Sequence, residues 1–126
     1  MLEKMPQWSK DAEAHLKVAL DGCEEYFKRE VNTGIAELFV VNGKSWLITR
    51  IETDEKNNME LVVCCYEGRE LVAFVHHLTH LARSKGINSI RFHTKRKALG
   101  QWMCRRFNFK EIENTQKEFI YRLRLA

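Results

Sequence analysis

Met59-Glu60-Leu61-Val62-Val63-Cys64-Cys65-Tyr66-Glu67-Gly68 is the stretch that decides how the rest of the chain is read. Leu61 to Tyr66 is a continuous apolar block, too short for a helix and rich in β-branched residues, which predicts a strand buried on both faces. Glu67-Gly68 ends it. From Arg69 to Lys85, Leu71, Phe74, Val75, Leu78, Leu81 and Ala82 recur at helical spacing and form one stripe. Gly86 stands where a helix takes a left-handed residue to stop. Ile87 to Phe92 follows as a strand, with apolar positions alternating at 90 and 92. Strand, helix and strand predict one right-handed βαβ unit whose two strands are parallel.

Upstream of this unit, Ser9 is a candidate N-cap, with Asp11 and Glu13 in the first turn where the helix dipole favours acids. Leu16, Ala19, Leu20, Cys23 and Phe27 extend a helical stripe to about residue 30. Asn32-Thr33-Gly34 closes it. Ile35 to Val41 and Ser45 to Glu52 read as strands, joined by a two-residue hairpin signal at Asn42-Gly43. No strand is expected before Ser9. Downstream, a helix runs from Ala98 to about Arg106, and strands at Phe109–Ile112 and Phe119–Leu125 close the chain around the polar run 113–117. The expectation is one α/β domain spanning residues 1–126: a mixed sheet of about six strands, a βαβ core and flanking helices.

At 126 residues with 44% hydrophobic content, the chain is long enough for one real core. No apolar run approaches membrane-spanning length and the N-terminus lacks a signal-peptide pattern, so a soluble, cytoplasmic protein is expected. The four cysteines, Cys23, Cys64, Cys65 and Cys104, form no Cys-x-x-Cys pair and read as reduced packing residues. Residues 1–82 carry nine Lys and Arg against fourteen Asp and Glu, whereas residues 83–126 carry twelve against three. A basic half of this kind can meet phosphate, nucleic acid or an acidic partner.

The order of elements and several details resemble the GCN5-related N-acetyltransferase (GNAT) superfamily. Phe107-Asn108-Phe109-Lys110-Glu111 follows a short helix and precedes the final strand Phe119-Ile120-Tyr121-Arg122-Leu123, with Asn108-Phe109 where the family has Gly-Phe. Ala82-x-x-x-Gly86 is similar to the family's central helix ending. The resemblance covers roughly residues 9 to 125. It implies an acyl-CoA-dependent N-acyltransferase, with acetyl-CoA as donor, an amine as acceptor and the donor between the central strand and the next. The family's Gln/Arg-x-x-Gly-x-Gly/Ala turn, whose amides hold the coenzyme A pyrophosphate at a helix N-terminus, falls on Tyr66-Glu67-Gly68-Arg69-Glu70-Leu71. The matching cofactor-binding positions are Tyr66, Gly68, Arg69 and Leu71. Arg69 and Leu71 occupy the two glycine positions, and Glu67 and Glu70 would repel a diphosphate that Arg69 could pair with. This altered turn predicts weak or absent acetyl-CoA binding, and Gly68→Val is expected to abolish any binding while leaving the fold intact.

Where many members carry a general-acid tyrosine, five residues before the phenylalanine, this chain has Cys104. Glu60, at the start of the central strand, and His93, at the end of the next, are the candidate general bases. Spacing alone favours the plainer reading of a solvated glutamate and a strand-end histidine. His76 and His80 form an i, i+4 pair beside His77, but they project opposite the apolar stripe and no third ligand is identifiable, so no metal site is expected. Lys95-Arg96-Lys97, with Arg105 and Arg106, could hold a 3′-phosphate, DNA or an acidic protein. Trp102 is either a core anchor or a stacking surface. Small, divergent GNAT-like proteins also occur in bacteriophage genomes, some among virion or DNA-ejection proteins. The likeness in size and degeneracy therefore implies an alternative: a catalytically inactive assembly module, or one that binds protein or nucleic acid.

Overall fold

The computed structural model describes residues 2–68, 70–115 and 117–125. The elements in order are β1 (Leu2–Met5), α1 (Lys10–Leu20), α2 (Glu24–Asn32), β2 (Ala36–Val41), β3 (Ser45–Thr53), β4 (Met59–Glu67), α3 (Leu71–Ser84), β5 (Ser89–Thr94), α4 (Lys97–Phe107), β6 (Lys110–Asn114) and β7 (Phe119–Arg124). The strands form a single seven-stranded sheet in the order β1-β2-β3-β4-β5-β7-β6. Only β4 and β5 pair in parallel, as the crossover through α3 requires.

The sheet has a core on each face. Strand side chains Phe39, Leu47, Leu61, Val63, Ile90 and Phe92 pack with Phe74, Val75 and Leu78 of α3 and Met103 of α4. On the other face Leu38, Ile48 and Cys65 pack with Ala12, Leu16 and Leu20 of α1 and Val31 of α2. Strand β4 feeds both, which is why its sequence is apolar without alternation. No helix among the described residues is long and apolar enough to cross a membrane.

Three sequence expectations are corrected. Leu2–Met5 is a strand, antiparallel to β2 with Leu2 opposite Val41 and Met5 opposite Leu38, so the sheet has one strand more than expected. It is too short, and its burial too intermittent, to leave a periodic signal. The helix expected to reach residue 30 is two helices, because Asp21 and Gly22 take φ values of 49° and 85°. Cys23, which seemed to extend the stripe, is exposed. The β2–β3 turn uses three residues, Asn42 to Lys44, between the paired Val41 and Ser45.

Other local signals hold. Ser9 Oγ accepts from the Ala12 amide at 3.1 Å. At the end of α3 the Ile87 amide donates to the Ala82 carbonyl at 2.8 Å and the Gly86 amide to Arg83 at 3.1 Å, with Gly86 at φ 72°. This is the double-bonded left-handed stop that only glycine adopts without strain. Asn108 ends α4 in the same left-handed conformation, φ 65°, and so fills the position that is glycine in the resembled family. Asparagine tolerates that region better than most side chains.

Candidate functional site

The parallel ladder between β4 and β5 has three register pairs, Leu61–Ile90, Val62–Arg91 and Val63–Phe92. Both strands run on past the last pair, β4 to Glu67 and β5 to Thr94. Against β3, the register jumps from Ile48–Cys65 to Thr49–Val63, which leaves Cys64 as a bulge. Bulge and lost pairing coincide, and the two strands part there.

A cavity of about 600 Å³ occupies the opening. Leu71, Phe74 and Leu78 of α3 wall it on one side, Leu99 and Met103 of α4 on another. Tyr66, Gly68 and Arg96 stand at its rim. Toward the opposite face of the sheet it meets Val18 and Asp21 of the first helix end, and His93 and Glu118.

Of the four turn positions singled out in sequence, Tyr66, Gly68 and Leu71 line this cavity, and Arg69 lies outside the described residues. The α3 N-cap, Glu70, makes no side-chain cap bond, so its own carboxylate does not satisfy the first amides of α3. Glu70 Oε2 instead accepts from Asn42 Nδ2 at 3.1 Å, drawing that carboxylate toward the β2–β3 turn. Leu71 packs partly against the core. The Tyr66 ring stacks on Phe74 with centroids 3.9 Å apart. Its hydroxyl is buried beside Ser45, without a hydrogen bond of ordinary geometry among the described residues.

Gly68 needs correcting as a probe. A Cβ there would overlap Ser45 Oγ and Cβ and crowd the Tyr66 hydroxyl. Glycine is required by the close approach of the end of β4 to β3, so Gly68→Val reports on packing and does not isolate binding.

His93 is fixed from two sides. Its Nε2 accepts from Arg91 Nε at 3.1 Å, and its Nδ1 lies 3.0 Å from Glu118 Oε1. An arginine can only donate, so the ring proton belongs on Nδ1 and points to the carboxylate. Glu118 was not legible as a partner: it follows a polar run and reaches His93 only because β5 and β7 pair with His93 opposite Ile120.

Glu60 lies elsewhere, in a smaller polar cavity of about 320 Å³ with Glu52, Asn88, Arg91 and Arg124. Its carboxylate accepts from Ser89 Oγ at 2.6 Å, from Arg91 at 2.9 Å and from both Nε and Nη2 of Arg122. Burial alone would raise its pKa, but the Arg122 and Ser89 hydrogen bonds outweigh this and hold it below the ordinary 4.5. Because the folded pKa is depressed, this stability is present above the unfolded pKa and is lost as pH falls through the folded one. Glu60→Gln is therefore expected to cost about 1–3 kcal/mol at neutral pH, since it leaves two arginines short of an anion. The arginine side chains keep 20% and 28% exposure, which holds the cost to that range. Urea denaturation at pH 7 and pH 3 would check it: the gap between the two proteins should narrow in acid, and a constant gap would contradict the linkage.

Part of the charge asymmetry between the halves of the sequence is paired in space: four of the twelve Lys and Arg of residues 83–126 meet carboxylates among the described residues. Lys85 meets Glu37, Arg91 meets Glu52 and Glu60, Arg122 meets Glu60, and Lys95 meets Asp21 at 3.0 Å. Lys95, Arg96 and Lys97 are all exposed, with Lys95 and Arg96 at the cavity and Lys97 opening α4. Cys64 and Cys65 are thiols whose burial pushes them up to about 11 and about 12, which disfavours a nucleophilic thiolate. Cys104 does not line the cavity. Trp102 is half-buried edge-on to Phe107 and packs on the core. His76 and His80 are exposed. Among the described residues no group of three or more His, Cys, Asp or Glu side chains is arranged to hold a metal ion.

No protein-family model matches the sequence, and no curated protein matches it. Solved structures do match in shape. FeeM, an N-acyl amino acid synthase from uncultured soil microbes, superposes with a TM-score of 0.73 at 10% identity, over 99% of this chain and 95% of that one. An IAA acetyltransferase from Bacillus cereus gives 0.70 at 13% identity, over 99% of each chain. The Campylobacter jejuni N-acetyltransferase PseH, in complex with acetyl coenzyme A, gives 0.68 at 9% identity, over 100% of this chain and 99% of that one. The chain has the mixed α+β fold of the GNAT acetyltransferases.

Proposed function

We propose that the chain is an acyl-CoA-dependent N-acyltransferase whose donor lies in the opening between β4 and β5. One observation carries the reading: the parallel ladder stops at Val63–Phe92 while both strands continue, leaving a cleft with an uncapped helix N-terminus on its rim and a His–Glu pair in its wall. The shared fold with an acetyl-coenzyme-A complex supports it.

In this reading the α3 amides and the exposed Arg96 and Lys97 receive the phosphates of the donor, and Tyr66, Gly68 and Leu71 flank them. His93, rather than Glu60, takes the proton from the acceptor ammonium. Arg91 gives up its hydrogen bond to Nε2 as the proton arrives there, and Glu118 steadies the imidazolium through Nδ1–H. The freed amine attacks the thioester carbon, the C–N bond forms, the C–S bond breaks, and the second amine proton passes to the departing thiolate as the intermediate collapses. The departing alkyl thiolate is a far better leaving group than the amine nitrogen that replaces it. It leaves readily, so chemistry proceeds with Cys104 where the resembled family has an acid.

Titration with acetyl-CoA by calorimetry, followed by an assay of CoA release with amine acceptors, tests the proposal. The altered turn leads us to expect a dissociation constant between about 1 μM and about 1 mM, or −8.2 to −4.1 kcal/mol. Tighter binding would show that the turn is not impaired. No binding at millimolar donor, and no CoA release, would remove the acyltransferase and leave a GNAT-like fold used for assembly or binding.

A further inference from the structure

We infer that the donor is a medium-chain acyl-CoA, with an aliphatic tail well beyond acetyl, and that the tail lies between α3 and α4. This rests on the donor site proposed above. A thioester attacked beside His93 sits where β4 and β5 part, level with Phe92. An acetyl group would end there.

The cavity does not. It continues to Ile90, one pleat further back along β5 in the paired part of the ladder. Along α3 it runs from Leu71 to Leu78, about 10 Å at the helical rise. Met103 and Phe109 close it. Leu78, Ile90, Met103 and Phe109 are each at most 4% exposed, and none offers a hydrogen bond. An inner space lined this way holds water poorly, because water there would lack polar partners. Left empty, its walls forgo dispersion contacts on one side. A saturated hydrocarbon chain satisfies both conditions and a polar substituent satisfies neither. The acidic, basic and histidine side chains that line the same cavity, Asp21, Glu67, His93, Lys95, Arg96 and Glu118, are exposed or half-buried and belong to its outer part. A polar donor head outside and an alkyl tail inside therefore match the distribution of its walls.

The test uses the full chain and calorimetry with CoA, acetyl-CoA, hexanoyl-CoA and octanoyl-CoA. Burying a methylene is worth about 0.8 kcal/mol, about fourfold in affinity. Hexanoyl-CoA is thus expected to bind at least about tenfold tighter than acetyl-CoA. Met103→Trp, which fills the inner space, should bring the hexanoyl-to-acetyl affinity ratio down toward one, and circular dichroism would confirm that the variant folds. If it does not, the chain-length series on the unaltered protein decides alone. Equal affinity for acetyl- and hexanoyl-CoA would overturn the inference and leave the donor site standing. Failure of all four to bind would overturn the donor site itself.

Discussion

His93→Ala is expected to lower kcat for acyl transfer by about 10²–10⁴-fold, while the dissociation constant for the acyl donor moves by only a few-fold. The range is that of a positioned general base. The imidazole is held by two directed hydrogen bonds, and its lone-pair nitrogen is the only one free of a proton. Removing the ring leaves the acceptor ammonium to lose its proton to solvent. Glu118→Gln separates orientation from charge: the amide oxygen still accepts from Nδ1–H, but the negative charge that steadies imidazolium is gone. Its kcat should fall between those of the unaltered protein and His93→Ala. Steady-state kinetics and donor binding measured on the same preparations would decide. An unchanged kcat in His93→Ala would take the proton transfer away from this pair.

Leu78→Ala is expected to cost about 2–5 kcal/mol of folding stability. Leu78 is 1% exposed, at the middle of the α3 stripe, packed with Leu61 and Val63 of β4 and bordering the cleft. Truncation loses apolar burial and adds a void, and a site that already borders a cavity has little chance to collapse onto it. Against the roughly 5–15 kcal/mol that holds an ordinary domain together, the loss is large. His76→Ala, on the opposite face, should change stability by no more than about 0.5 kcal/mol. Its edge-on contact with Phe107, centroids 6.1 Å apart, is made at the surface. Chemical denaturation of both variants would settle the orientation of α3. A costlier histidine change would mean that the histidine face is the buried one.

The βαβ unit was legible because its signals are local and agree with one another. An unbroken apolar strand, a helical stripe and a glycine stop each bias the same residues toward one structure. The first strand was not, since four residues with only two partly buried carry no period. The break at Asp21-Gly22 was masked by an apolar cysteine in helical register. Of the candidate site residues, Tyr66, Gly68, Leu71 and His93 line one cavity, and what surrounds them there could not be read from the sequence. Glu118 lies 25 residues from His93 in the chain and Arg122 lies 62 from Glu60, and only the β5–β7 register brings them across. Glu60 read either as a candidate base at the start of the central strand or as a solvated glutamate, and nothing local announced two arginines. The partners of Lys85, Arg91 and Lys95 in the basic second half were hidden for a related reason: they come from β2, β3, β4 and the end of α1.

The three-pair seam between β4 and β5 also bears on how the molecule assembles. On either side of it the strands pair antiparallel, β1 through β4 and then β5, β7 and β6, mostly with sequence neighbours. Within them the β2–β3, β3–β4 and β6–β7 pairs close over short loops at little entropic cost. The seam joins them only after the α3 crossover has docked, and non-local parallel pairing of this kind is slow to form. The cleft belongs to neither ribbon alone. It comes into existence when the two meet, so a chain that stops before β5 has no such cleft.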